Sequence, residues 1–142
     1  MILWRISEWA TLDGAGGLAV AGRWHSRGRP VVYTAESSAL AMLEVLVHLE
    51  VDAPPPNFQL LKIDTPDELA IHHWSGSDAL LPEPAAWGDA WLADGATPLA
   101  RVPSVIAPGA HNMLINPRHP DAGRIAITSA SRWPWDKRLF VR

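Results

Sequence analysis

The chain has 142 residues, of which 48% are hydrophobic and 19% charged, and its formal net charge is −3. This length predicts one domain with a sizeable core, and the slight negative charge argues against a general nucleic-acid or membrane binder. The sequence has no cysteine, which excludes disulfides and thiolate chemistry. It also shows neither a signal-peptide pattern nor an apolar run long enough to span a membrane, so a cytoplasmic protein is expected.

The first third of the chain predicts two strands, a loop between them and a helix. Ile2–Ile6 alternates enough for a strand, and Val31–Thr34 is rich in β-branched and aromatic residues. Leu12–Gly22 is expected to be a loop, because it lacks the order of a dinucleotide-binding fingerprint and the lysine of a phosphate-binding loop. A helix is expected over Ser38–Leu49, with Ser37 or Ser38 as its cap. The core-facing positions expected from the helical period are Leu40, Leu43, Leu46 and Val47.

The rest of the chain predicts short strands, one more helix and turn-rich stretches. The helix is expected over Pro84–Asp94, with Gly95 just past its end. Loops are expected over Glu68–Pro84 and Pro108–Asp121, which are dense in turn residues. The expected strands are Phe58–Ile63, Leu99–Val102, Val105–Ala107, Arg124–Thr128 and Leu139–Val141. This pattern predicts a single α+β domain over residues 1–142, with a twisted, mostly antiparallel sheet.

Arginine and tryptophan are over-represented. The chain has ten arginines and two lysines, and arginine is the better fork for carboxylate and phosphate groups. Most of the eight tryptophans are expected to fill the core and interfaces. Trp87 and Trp91 lie one helical turn apart, so these two can stack on one face.

One carboxylate, Glu44, interrupts the apolar helix. At about 100° per residue it falls close to Leu40 and Val47, on the apolar side. A charge there is costly unless it is paired or used. The nearest strong candidate partner is Arg23, on the loop that feeds the preceding strand, and Tyr33 lies on that strand. An arginine, a tyrosine and a glutamate on adjacent elements therefore predict a functional site.

The six histidines do not have the spacing of a metal site. His72 and His73 are adjacent and would point to opposite faces of a strand. His111 and His119 lie in a turn-rich segment with weak ligand spacing. We therefore expect no bound metal, and a metal hydrolase is the least favoured class.

Three ordered blocks of sequence resemble the RES domain family. The first is Gly22-Arg23-Trp24-His25-Ser26 with Tyr33 and Leu43–His48; the second is Val102–Ile106 with Asn112–Pro120; the third is Trp133–Leu139. The resemblance extends from about Leu3 to Phe140. The arginine, glutamate and serine for which the family is named fall here on Arg23, Glu44 and Ser104. The departures from the family pattern are His25 where asparagine is common, Met113 where an aromatic is usual, and Trp133 and Trp135 where other aromatics are common.

The resemblance implies a fold like that of ADP-ribosyltransferases, and NAD as substrate without a metal. RES domains are toxins of bacterial type II toxin–antitoxin systems; some degrade NAD by hydrolysis or phosphorolysis, and at least one type modifies a protein with ADP-ribose. The chemistry requires negative charge near C1′ of the ribose, a role that suits Glu44. Arg23 suits a forked contact to the diphosphate, and Tyr33 offers a flat face for nicotinamide. Ser104 suits positioning of Glu44 or a ribose hydroxyl, and Asn112 suits amide contacts.

Two alternatives stay open beside a toxin that cleaves the nicotinamide–ribose bond. One is a mono-ADP-ribosyltransferase that modifies a cellular protein, because nothing in the sequence fixes the acceptor. The other is a non-catalytic module that binds a nucleotide or a partner. By resemblance, the expected partner is a cognate Xre-type helix-turn-helix antitoxin, with a homodimer within that complex as a further expectation. DNA contact would be made by the antitoxin, and this chain is expected to bind neither nucleic acid nor membrane directly.

Overall fold

The computed structural model describes residues 1–49, 57–76, 83–132 and 135–140. Seven strands form one sheet, and three helices and two 3-10 turns accompany them in the described part of the chain. The strands are β1 Ile2–Ser7, β2 Val32–Ala35, β3 Gln59–Asp64, β4 Ile71–His73, β5 Leu99–Pro103, β6 His111–Ile115 and β7 Ala126–Arg132. The helices are α1 Ala15–Ala19, α2 Ser38–Leu46 and α3 Glu83–Asp94, and the 3-10 turns are Pro120–Arg124 and Lys137–Leu139.

The strand order is β4-β5-β6-β2-β1-β3-β7, and every neighbouring pair is antiparallel except β4 with β5. The prediction of an α+β domain with a mostly antiparallel sheet is therefore confirmed.

The sheet is weakly joined at its centre. β1 pairs with β3 along its whole length, from Ile2 to Ser7. Its only register pair with β2 is Trp4 opposite Ala35. A guanidinium nitrogen of Arg5 donates to the Tyr33 carbonyl at 2.8 Å and adds a side-chain link across the same junction. The two halves of the sheet therefore meet at β2, the strand that carries Tyr33.

The two faces of the sheet bury different side chains. Along β6, Met113 and Ile115 join one core cluster and Leu114 joins another, as the two-residue period of a strand requires. The second cluster includes Trp91 of α3, so this helix covers the Leu114 face. A third cluster joins α2 to β1, β2 and β3 through Leu40 and its neighbours.

Helix α2 is shorter than predicted and turns a different stripe to the core. Ser37 caps it by accepting the Leu40 N–H at 3.1 Å, and it ends at Leu46, not at residue 49. Leu40 and Ala41 are buried, whereas Leu43 and Val47 are 41% and 53% exposed. The expectation that these last two face the core was wrong, because the buried arc is centred between Leu40 and Ala41. Glu44 falls inside that arc and is half-buried.

Several expected elements differ from the structure. Residues 105–107 form a bend, not a strand, because Ser104 accepts backbone donors there. The expected loops over 12–22, 68–84 and 108–121 contain α1, β4 and β6, which pairing and packing hold in place despite their turn-rich composition. Leu139 ends a 3-10 turn after an Asp136 cap, so the last predicted strand is wrong there, and residue 141 lies outside the described residues.

Candidate functional site

Glu44 is held by two side chains from other elements. The Ser104 hydroxyl donates to Oε1 of Glu44 at 3.2 Å, and Nδ2 of Asn112 donates to the same oxygen at 2.8 Å. These contacts join residues 60 and 68 positions apart in sequence. The predicted grouping of Glu44, Ser104 and Asn112 is therefore present as direct contacts.

The orientation of the Ser104 hydroxyl follows from its other contacts. Its oxygen accepts the backbone N–H groups of Ile106 and Ala107 at 3.1 and 3.2 Å. With two amide donors on the oxygen, its proton is free to point at the Glu44 carboxylate. Ser104 is itself buried, and its N–H donates to the Ala110 carbonyl at 2.9 Å, which closes the turn. Ser104 thus sets the position of one carboxylate oxygen.

The two oxygens of Glu44 differ. Both side-chain donors contact Oε1, and Oε2 accepts no hydrogen bond from the described residues. Asn112 shows a similar asymmetry, because its Oδ1 is buried without a partner in the described part of the chain. The carboxylate is consequently fixed in orientation on one side and available for a ligand donor on the other.

Tyr33 lies on the same face of the sheet as Asn112. In the β2–β6 register Ala35 is opposite Asn112 and Tyr33 is opposite Leu114. Because side chains alternate along a strand, Tyr33 and Asn112 are diagonal neighbours on paired strands. Such residues lie about 7–8 Å apart, measured between their backbone positions. The Tyr33 ring is half-buried and packs against the cluster that contains Trp24.

The Tyr33 hydroxyl is fully engaged. It accepts the Trp24 N–H at 3.2 Å and lies 2.7 Å from Nδ1 of His25. Burial, with a smaller contribution from the negative charge of Asp89, raises the pKa of Tyr33 from 10.0 to about 12, although the Trp24 N–H opposes the rise. The phenol therefore stays neutral near pH 7 and serves as an anchor for the residues after Arg23.

Arg23 occupies a tight turn on the surface. Gly22 and His25 form a bridge, with the Gly22 N–H donating to the His25 carbonyl at 3.2 Å, and Arg23 is exposed between them. The hydrogen-bond donors to Glu44 among the described residues are Ser104 and Asn112, so these two side chains hold its carboxylate. The pairing of Arg23 with Glu44 stays a prediction.

Helix α3 clamps this turn from the opposite side. A Cβ on Gly88 would overlap the Trp24 carbonyl oxygen, so helix and turn touch backbone to backbone. The next residue, Asp89, accepts the Ser26 N–H at 2.8 Å and the Ser26 hydroxyl at 2.5 Å. Asp89 also pairs with Arg29 at 3.3 Å. The segment that follows Arg23 is thereby held against α3.

The tryptophans form a cluster beside this clamp. Trp24 meets Trp74 and Trp87 edge to face, with ring centroids 5.0 and 5.7 Å apart. Trp87 stacks on His72 at 5.0 Å, while Trp91 donates its indole N–H to Thr97. The two helical tryptophans therefore take different partners, although their spacing would allow them to stack. Their burial agrees with a packing role.

A cleft of about 320 Å³ lies elsewhere, at the end of α3. It is lined by Arg29, Gly95, Asn116 and Arg118 among others, and by none of the predicted site residues. The carbonyl end of a helix disfavours an anionic ligand there despite the arginines. This cleft is therefore separate from the contacts that hold Glu44.

Within the described residues, no group of three or more histidine, cysteine, aspartate or glutamate side chains is arranged to hold a metal ion. None of the helices described is long and apolar enough to cross a membrane.

The positioning residues were the part that sequence patterns missed. Gly88 and Asp89 are more than sixty residues from the turn that they contact, and no spacing rule relates the two segments. His25 was noted only as a departure from the family pattern. For His25, the one signal in the sequence was a polar residue between Trp24 and a strand. That signal did not identify Tyr33 as the partner of His25.

Comparison with known proteins supports a single family. The family model described as the RES domain matches residues 2–136. A Pseudomonas putida protein named Toxin Res is 46% identical, with 99% of this chain and 100% of that protein covered. A Sphingobium protein named Prs ADP-ribosylating toxin is 39% identical, with 96% of this chain and 95% of that protein covered.

A solved structure has the same fold. It is the crystal structure of the M. tuberculosis MbcT–MbcA toxin–antitoxin complex, and the matching chain superposes with a TM-score of 0.73. The match covers 98% of this chain and 86% of that one at 19% identity, which shows a likeness of fold.

Proposed function

Because the chain belongs to the RES domain family, we propose that it is the toxin of a type II toxin–antitoxin system and that it consumes NAD. The reaction is cleavage of the bond between nicotinamide and C1′ of its ribose. The observation that carries the proposal is the fixed carboxylate of Glu44, with Ser104 and Asn112 on one oxygen and no described donor on the other.

The chemistry of this bond requires such a carboxylate. As nicotinamide departs with the bonding electrons, positive charge develops at C1′ and the ring oxygen, as in glycoside cleavage. A carboxylate near C1′ lowers the energy of that state more than that of the bound substrate, which is the condition for catalysis. We assign this role to Oε2 of Glu44, which can also accept a hydrogen bond from the ribose 2′-hydroxyl.

Substrate binding falls to the other predicted residues. Arg23 is exposed on a fixed turn, and an arginine there suits a forked contact to a diphosphate. Tyr33, whose hydroxyl is occupied, presents its ring face to nicotinamide. Ser104 acts through Glu44, and Asn112 combines a donor to Glu44 with an unpartnered oxygen for a ligand N–H or O–H. No role in this scheme requires a metal.

The acceptor distinguishes three outcomes. Water adds hydroxide to C1′ and releases a proton, phosphate adds through one oxygen, and a protein nucleophile becomes ADP-ribosylated. Hydrolysis or phosphorolysis is the first proposal. The 39% identical relative named as an ADP-ribosylating toxin supports protein modification as the alternative. A non-catalytic binding module is the second alternative, and the fixed carboxylate argues against it.

The proposed partner is an Xre-type antitoxin in the cytoplasm. One neighbour of known structure is a toxin–antitoxin complex, which supports a bound partner here. Exposed apolar side chains, Leu43, Val47 and Val105, lie on the segments that carry Glu44 and Ser104, and such side chains suit an interface. A homodimer within the complex is part of the same proposal.

The test is to incubate purified, antitoxin-free protein with NAD, with and without phosphate, and to identify the products by mass. ADP-ribose, ADP-ribose-1″-phosphate or a labelled protein would each select one reaction. The matched control is Glu8→Gln, an exposed carboxylate away from the site that should behave as the parent. Unchanged NAD in all conditions, with no growth arrest when the chain is induced alone, would refute the proposal.

A further inference from the structure

His25 is buried but uses both of its ring nitrogens. It is 3% exposed, with Nε2 at 3.0 Å from the Val20 carbonyl oxygen and Nδ1 at 2.7 Å from the Tyr33 hydroxyl. A carbonyl oxygen can only accept, so Nε2 carries the proton. In the neutral ring Nδ1 then accepts, and the Tyr33 hydroxyl donates to it. This network fixes the tautomer of His25.

The hydrogen bonds form a chain around Arg23. The Trp24 N–H donates to the Tyr33 oxygen, the Tyr33 hydroxyl donates to His25, and His25 donates to Val20. Val20 lies three residues before Arg23 and Trp24 directly follows it. The turn is therefore tied on both sides of the arginine to one side chain of the sheet.

The backbone at Gly17 and Gly22 packs closely against the rings of His25 and Tyr33. A Cβ on Gly22 would lie 2.5 Å from the Tyr33 hydroxyl oxygen and 3.0 Å from Cε1 of His25. A Cβ on Gly17 would lie 3.2 Å from Nε2 of His25. These distances are shorter than ordinary carbon contacts, so the backbone at Gly17 and Gly22 is fitted to the two rings. A side chain at either glycine would push the turn away from the rings of His25 and Tyr33.

From these contacts we propose that His25 is a positioning residue, which acts through the Tyr33 hydroxyl to hold the Arg23 turn in its NAD-binding arrangement. This inference rests on the proposed function for the identity of the ligand. It assigns His25 no contact with the substrate. Glu44 lies on α2, Ser104 on the turn after β5, and Asn112 on β6. His25 belongs to none of these elements.

The separation of the two groups predicts a division in the kinetics. Loss of His25 should weaken NAD binding and leave the chemical step nearly unchanged. His25→Phe keeps a planar ring but removes both hydrogen bonds, and losing a buried hydrogen bond of this kind corresponds to about a tenfold rise in KM. His25→Asn retains an acceptor near the position of Nδ1, so it should recover most of the parent KM.

The experiment compares KM and kcat for the parent, His25→Phe and His25→Asn, with His73→Phe on the exposed β4 surface as the matched control. Support is a rise in KM of about tenfold for His25→Phe with kcat within about threefold, and rescue by His25→Asn. A KM within about twofold of the parent, a fall in kcat alone, or no rescue would overturn the proposal.

A second variant covers a failure of His25→Phe to fold. Tyr33→Phe breaks the same series of hydrogen bonds at the tyrosine hydroxyl, and the KM for NAD should rise by a similar factor. In the double variant the increases should not multiply, because both changes break one chain. An unchanged KM for Tyr33→Phe, or fully multiplicative effects where both variants fold, would overturn the role of His25.

A readout without NAD separates this inference from the proposed function. Trypsin cleaves after arginine, and Arg23 is exposed on the turn. Native-state cleavage after Arg23 should be about tenfold faster in His25→Phe or Tyr33→Phe than in the parent, because proteolysis tracks local opening. Equal cleavage rates overturn the inference even if the parent is active. An inactive parent with faster cleavage in the variants refutes only the proposed function.

Discussion

The carboxylate of Glu44 and the turn of Arg23 are held in contrasting ways. Glu44 stands on a regular helix, and its position is set by two direct hydrogen bonds to one oxygen. Arg23 stands on an irregular turn, and its position depends on a buried histidine, a tyrosine and the backbone of α3. The comparison indicates that Glu44, proposed for chemistry, is held by direct hydrogen bonds to its own carboxylate. Arg23, proposed for binding, is held indirectly, through buried residues that contact its neighbours in the turn.

The largest expected effect is on the carboxylate side. Glu44→Gln keeps the shape and the contact with Ser104 but removes the charge. We expect kcat for NAD consumption to fall at least about 100-fold, because loss of several kcal/mol of charge stabilisation corresponds to this factor. Steady-state kinetics measure it, and circular dichroism should show an intact fold. A rate near that of the parent would remove Glu44 from the mechanism.

The turn side should respond most to Gly88→Ala. The added Cβ would overlap the Trp24 carbonyl oxygen, so α3 or the turn must move. We expect the free energy of unfolding to fall by about 1–3 kcal/mol and the KM for NAD to rise, since the overpacking falls on the turn. Urea unfolding and kinetics check both. Gly123→Ala is the control, because nothing lies within 4 Å of its Cβ position, and equal stability of the two variants would contradict the clamp.

Ser104→Ala tests whether direct hydrogen bonds hold the Glu44 carboxylate in position. It removes the proton directed at Glu44 and the acceptor of two backbone N–H groups. We expect kcat to fall by about tenfold with little change in KM, as for loss of one charge-assisted hydrogen bond. The kinetic split is the measurement. A change confined to KM would place Ser104 with the turn instead.

Tyr33 offers a pH measurement on the turn side, because it is the single tyrosine of the chain. Burial raises the pKa of Tyr33 from 10.0 to about 12, so the folded protein keeps the phenol neutral to higher pH than the unfolded chain does. The stability linked to this shift is complete below about pH 10 and is lost as the pH rises toward about 12. Ultraviolet titration of the native protein should give the higher midpoint, and protein in urea the ordinary one. Coincident midpoints would contradict the buried anchor.

The same contrast explains what could be predicted from sequence. Glu44 was identifiable because a helical period places it near Leu40, and the helix is the most regular signal in the chain. Ser104 and Asn112 were found by resemblance, since a bond that spans 60 residues leaves no local pattern. Strand β6 was missed because its flanks are dense in turn residues, and pairing with β2 and β5 overrides that composition.

The contacts of the Arg23 turn were harder to predict from the sequence, for a physical reason. The Arg23–Glu44 pair expected from the sequence assumed that a costly charge takes the nearest opposite charge. The hydrogen bonds to Glu44 come from the neutral side chains of Ser104 and Asn112, and Arg23 is exposed on its turn. The contact between Gly88 and Trp24 arises only when α3 packs on the sheet, so no inspection of either segment alone predicts it.

The most direct test of the division between the two sides is the affinity for NAD in the absence of turnover. Calorimetry on Glu44→Gln should show NAD binding without cleavage, and addition of Arg23→Ala should weaken that binding at least about tenfold, as for loss of a forked contact to a diphosphate. Cleavage of NAD by Glu44→Gln at a rate near that of the parent, or equal affinity in the single and double variants, would contradict the account.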